Sequence, residues 1–159
     1  MSAMTQALAW PTAERRVFDE IRDRLGHKEG INCFLGYIPV DVPNVWAFAS
    51  GGGTAGIENK TLVNNNAACW STSIVDARLI GVYSERAAVM EWSCEVLQVF
   101  QDTFNFHQRS NVVACRIQEM PSLPIFEIFQ DEEDSGLGAW IVIIPCQLLF
   151  STTQLYTDT

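Results

Sequence analysis

Residues 74–83 place Val75, Ala77, Leu79 and Tyr83 on one apolar face at the two-residue period of a strand. With no room for a long connection, Ser84 is then positioned to cap a helix. Glu85 opens that helix, where a carboxylate meets the positive end of the dipole. Val89, Trp92, Val96, Val99 and Phe100 follow at helical spacing. A strand that feeds directly into an amphipathic helix restricts the chain to folds in which the helix packs back on a sheet. The unit is a scaffold and carries no chemistry of its own.

The chain has 159 residues, enough for a single domain, residues 1–159, with its own core. Hydrophobic residues make up 48% and charged residues 18%, a globular balance rather than a disordered one. Five Trp and nine Phe supply large packing units, which suit a subunit interface as well as a core. The net charge of −9 is uneven. Residues 1–30 hold five basic and five acidic side chains, whereas residues 31–159 hold five and fourteen. Such a body repels phosphate, which argues against nucleic-acid binding and against an anionic membrane surface. A wall that DNA passes without sticking could use this sign, although solubility alone explains it.

Cys33, Cys69, Cys94, Cys115 and Cys146 form no C-x-x-C pair, and each lies in or beside an apolar segment. That is the pattern of small hydrophobic thiols in a chain that folds under reducing conditions. No signal peptide is expected, because the first thirty residues lack an apolar core of the needed length. The longest apolar run, residues 139–145, is far too short to cross a bilayer.

Along the chain, residues 1–11 read as a loosely ordered lead ending in Trp10 and Pro11. Thr12 can cap a first helix over residues 13–25, with Phe18, Ile21 and Leu25 inward, Val17 at the edge and Gly26 as its stop. Its other face alternates acids and bases at i,i+4 spacing. Residues 31–40 and 45–49 read as strands, with Pro39 and Pro43 restricting them to an edge or bend. Residues 50–66 form the least structured stretch, a binding loop, a subunit-spanning arm or plain connection. After the strand–helix unit, residues 112–120, 123–130 and 140–150 read as strands. The acidic residues Asp131, Glu132, Glu133 and Asp134 occupy a hairpin loop before the last of these, and residues 151–159 form a polar tail. The expected class is therefore α+β: a mostly antiparallel sheet with two helices packed on one face.

No motif for catalysis, cofactor or metal emerges. The glycines at 51–53 lack the phosphate-loop spacing, since Lys60 follows Gly53 by seven residues with no glycine before it. His27 and His107, the only histidines, have no Cys or His at ligand spacing. His27 just past a helix C-terminus is a favourable place for a cation. No G-x-S-x-G elbow is present. The acids at 131–134 lack the alternate spacing of a calcium loop. Glu119 and Glu127 could meet across a hairpin as an acid/base couple, but solvent-facing strand residues are the simpler reading. No catalytic, cofactor-binding or metal-ligating residue is assigned.

The order of elements resembles the tail terminator (tail completion) proteins of long-tailed bacteriophages. The segments that carry the resemblance are residues 13–21, 73–99 and 139–150, about half the chain. The resemblance implies a structural virion protein, assembled in the host cytoplasm, that closes into a ring, usually hexameric. Such a ring caps the tail tube and forms the joint to the head. The implied partners are copies of itself, the tail-tube protein and the head–neck connector proteins, with DNA only as cargo passing the lumen and no cofactor. The arms toward partners would be the 50–66 segment, with Gly51, Gly52, Gly53, Asn64 and Asn65, and the turn holding Asp131, Glu132, Glu133 and Asp134. Another neck, connector or tube subunit is the first alternative. A small α+β enzyme or ligand-binding domain, using the concave sheet face or a polar pocket at His107, is the alternative from another class.

Overall fold

The two longest runs of β-forming sequence find each other. In the computed structural model, which describes residues 4–39, 42–51, 57–61, 68–103, 113–128 and 138–155, β4 (Ala68–Tyr83) pairs antiparallel with β7 (Gly138–Leu155) along its whole length. The register sets Val75, Ala77, Leu79, Gly81 and Tyr83 against Leu148, Cys146, Ile144, Val142 and Trp140. Because side chains alternate across a strand, these ten positions share one face. β2 (Val45–Ser50) lies antiparallel beside the second half of β4, with Trp46 opposite Gly81 and Phe48 opposite Leu79. β1 (Cys33–Leu35) pairs parallel with β2 at one edge, and β3 (Ile57–Thr61) lies on the same side of β4, along its first half. On the far side, β5 (Val113–Ile117) and β6 (Ile125–Ile128) both pair antiparallel with β7. The result is a seven-stranded, mostly antiparallel sheet.

Both helices cover the same face. α2 (Arg86–Thr103) buries Val89, Trp92, Val96, Val99 and Phe100, the residues its periodicity marks. α1 (Met4–Leu25) buries Ala13, Val17, Phe18 and Ile21. Full burial of an aliphatic or aromatic side chain stabilises by about 1.5–3 kcal/mol, so these two stripes hold the helices down without help from intrinsic propensity. α1 ends as its glycine implies. Gly26 takes φ +69°, its N–H donates to the Asp23 carbonyl (3.2 Å), and the His27 N–H donates to the Arg22 carbonyl (3.0 Å). This is the paired bonding of a Schellman stop.

The α+β class and the single helical layer are as the sequence predicts; several boundaries are not. The lead expected before residue 12 is helical from Met4, and Pro11 lies inside α1. A proline inside a helix costs roughly 3 kcal/mol, and tertiary anchors on either side of it offset that cost. Trp10 Nε1 donates to Ser50 Oγ (2.9 Å), Ser50 Oγ in turn donates to the Glu14 carboxylate, and the Ser50 N–H donates to the same group (3.1 Å). Trp10 and Glu14 are four residues apart, hence on one side of the helix. Glu14, on the helix face of alternating acids and bases, is thus a strut to the sheet.

Ser84 does not cap α2. Its N–H and hydroxyl both donate to Asn44 Oδ1 (3.3 Å each), and Asn44 itself adopts φ +63°. The first α2 bond is accepted by the carbonyl of Glu85, from Val89 N–H. The strand expected over 31–40 shrinks to the three residues of β1, the 50–66 stretch contains β3, and the polar tail continues β7 to Leu155.

A candidate interaction surface on the open face and edge of the sheet

The face of the sheet turned away from the helices also carries apolar rows. Val45, Val82, Ile141 and Ile125 form one register row across four strands, and Ala47, Ile80 and Ile143 form the next. Toward the other end the rows turn polar, with Asp76 opposite Gln147 and Arg116. There the Arg116 guanidinium donates twice to Gln147 Oε1, at 2.9 and 2.6 Å. Val45, Ala47 and Val82 are buried, while Ile80, Ile141 and Ile143 are half-buried. Exposure rises sharply at the edge, where Met120 is 78%, Leu123 83%, Ile125 57% and Phe126 46% exposed.

That edge is one interrupted strand. β5 and β6 run in the same direction along β7, and residues 118–124 between them keep only spaced contacts. The Gln118 N–H donates to the Pro145 carbonyl (2.9 Å), the Ser122 N–H to the Ile143 carbonyl (2.9 Å), and the Ile143 N–H to Ser122 Oγ (2.9 Å). Pro121 and Pro124 have no N–H to give a ladder, which breaks the strand, and Met120 and Leu123 beside them stand exposed. Glu119 and Glu127 therefore lie along one edge rather than opposite each other across a hairpin, and the acid/base couple is not formed. The hairpin into β7 is present in its stems, with Ile128 paired to Gly138.

Of the residues singled out in the sequence as arms, Gly51 closes β2. It takes φ +133°, its N–H donates to the Asp76 carbonyl (2.8 Å), and a Cβ there would touch the Trp10 indole at 3.5 Å. Its glycine identity follows from that backbone and that neighbour. Gly52, Gly53, Asn64, Asn65, Asp131, Glu132, Glu133, Asp134 and His107 lie outside the described residues.

Among the described residues, a cleft of about 430 Å³ lies where α1 meets α2, lined by Arg24, Leu25, Glu95, Gln98 and Val99. It sits on the helical side, not on the sheet face. Arg24 there is held by Glu20 at 3.0 Å. Beside it, His27 Nδ1 accepts a hydrogen bond from Trp46 Nε1 at 2.8 Å. Burial pushes the His27 imidazole below its ordinary pKa, and Glu95 acts in the opposite sense. His27 is thus a neutral acceptor, not the helix-terminal cation its position suggests.

This gives the protein a pH dependence. The unfolded chain takes up the proton first, so the contribution of His27 is complete above the unfolded imidazole pKa of about 6.5 and is lost as pH falls below it. The wild-type melting temperature should drop between pH 7.5 and 5.5, as read by thermal unfolding. His27→Asn, whose amide oxygen can replace Nδ1 as the acceptor, should flatten that slope. An unchanged slope would remove His27 as its source.

Cys33, Cys115 and Cys146 are buried free thiols. Burial raises the Cys33 thiol to about 11 and lifts Cys115 well above its usual value, with Cys146 beside it adding to the effect. Thiols held protonated are poor nucleophiles. Among the described residues, no group of three or more His, Cys, Asp or Glu could hold a metal ion, and no helix is long and apolar enough to cross a membrane. Comparison with protein-family models and with curated proteins finds no match.

Proposed function

We propose that this chain is a structural assembly subunit: a tail terminator that closes into a ring on the end of a phage tail tube and forms the joint to the head. The observation that carries the assembly reading is the edge at residues 120–126. Four large apolar side chains stand there in solvent, a surface that a partner would cover. The terminator reading adds the order of elements: helix, strands, long connection, a strand running into an amphipathic helix, then antiparallel strands. The acidic excess suits a lumen that DNA crosses.

The test is the mass of the purified protein in solution, by light scattering across a wide concentration range. A closed ring of about six subunits, with a contact above ~1,000 Å², is the expected result. Growth without limit would replace the terminator with a tube subunit. A monomer at every concentration would remove the ring.

A further inference from the structure

Nine large hydrophobic side chains are exposed among the described residues, and seven of them fall in two groups. Met120, Leu123, Ile125 and Phe126 lie on the β5–β6 edge. Ile31, Tyr37 and Val42, at 64%, 61% and 40% exposure, flank β1. The strand path β1-β2-β4-β7-β5 puts these groups at opposite edges of one sheet. Their charges differ as well. Glu119 and Glu127, both exposed, bracket the first group. On the β1 side, Glu29 is already held by Arg15 (2.7 Å) and Arg22 (3.6 Å), and among the described residues Lys28 stands exposed three positions before Ile31.

We infer that copies of this chain associate head to tail, the β5–β6 edge of one receiving the β1 edge of the next; the inference rests on the assembly reading above. A two-fold contact would join one patch to itself and leave the other bare. It would also set Glu119 and Glu127 against their own copies. A head-to-tail contact covers both patches of every copy and brings carboxylates toward Lys28. The broken edge limits how this can happen. With Pro121 and Pro124 in its middle, the edge cannot be extended by one continuous added strand, so the contact is made chiefly by side chains. A contact between two different surfaces repeats, and closes into a ring when its rotation allows.

Two substitutions at strongly exposed positions test this, Leu123→Asp on one edge and Ile31→Asp on the other. Both should fold, with a cooperative unfolding transition, because neither side chain is buried; the midpoint falls only by what assembly adds to the wild type. Each variant alone spoils every contact in its own assembly, so self-association should weaken about a hundredfold, as for a central interface residue. Mixed in equal amounts, they retain one intact pair of edges, Ile31→Asp supplying the β5–β6 edge and Leu123→Asp the β1 edge. The mixture should therefore form a one-to-one dimer and stop there.

Several results would overturn the inference. One is a variant that keeps the wild-type mass, and another is a mixture that stays monomeric. A closed wild-type ring indifferent to both substitutions would sink these edges while sparing the terminator reading. Unlimited growth with the one-to-one dimer intact would do the reverse. A wild type that is monomeric throughout would overturn both.

Discussion

Trp46→Ala should be the most damaging single substitution of those considered, costing about 3–5 kcal/mol as large aromatic truncations in cores do. Trp46 is fully buried at the junction of β2 with both helices. Its ring lies 5.5 Å from Phe18 of α1 and 6.5 Å from Trp92 of α2, and its indole N–H holds His27 past the end of α1. Domains of ordinary stability have about 5–15 kcal/mol in total, so the loss is a large share. At this chain length it corresponds to a fall in melting temperature of roughly 6–20 °C. Trp46→Phe keeps ring contacts and deletes the donor, and should cost less, nearer the ~1 kcal/mol of one hydrogen bond plus some lost area. A Trp46→Ala loss under ~1 kcal/mol in denaturant titration would mean that the three-ring junction does not hold the layers together.

The second large effect is expected at Gly81. Glycine inside a strand ordinarily weakens it, so replacement by alanine ordinarily helps. Here the sign should invert. A Cβ at residue 81 would stand 2.5 Å from Cε3 and Cζ3 of Trp92. That indole is itself flanked by Trp46 at 6.5 Å and Tyr83 at 6.0 Å, so it has nowhere to tilt. Gly81→Ala should cost about 1–3 kcal/mol, the range for overpacking, and Gly81→Val more. Pairing Gly81→Ala with Trp92→Leu should recover part of the loss, because the two changes share one volume and are not additive. Strict additivity in a double-mutant cycle would show that the conflict lies elsewhere. The arrangement already carries one cost: Trp92 Nε1 is buried with no hydrogen-bond partner. Flat packing on the sheet leaves the indole no room to reach one.

What could be read from the sequence tracks where apolar periodicity was strong. Val75, Ala77, Leu79 and Tyr83, and the α2 stripe from Val89 to Phe100, take the faces their spacing implies, and Gly26 ends α1. Polar strands carry no such signal. Residues 151–155 of β7 are mostly polar and β3 contains only one large apolar residue, so these two read as tail and loop, and the start of β4 before residue 74 carries no strand alternation. Pro11 hid the first turns of α1, because the anchors that offset it come from Ser50, thirty-nine positions away. The spacing of Ser84 predicts a local cap, whereas its partner is Asn44 at the near end of the neighbouring strand. The exposed edge did leave a trace: Met120, Leu123, Ile125 and Phe126 alternate with Pro121 and Pro124. Large apolar residues that proline keeps out of a sheet interior are candidates for a partner's surface. Periodicity reports which side of an element is buried, not what an edge is left facing.

The pairing of β4 with β7 also governs when the molecule can form. Tyr83 meets Trp140 and Ala68 meets Leu155, so every rung of the central ladder joins positions roughly 60 to 90 residues apart, a separation that makes folding slow. During synthesis the first hundred residues can build α1, α2 and the short pairing of β2 with β4, but β7 is not yet made. Until it arrives, Val75, Ala77 and Leu79 stand on an open strand edge with half their sheet missing. The nascent chain thus passes through a long interval as an adhesive intermediate. Its yield in a cell should depend on how fast β7 follows the rest of the sheet from the ribosome, and on what shields that edge in the meantime.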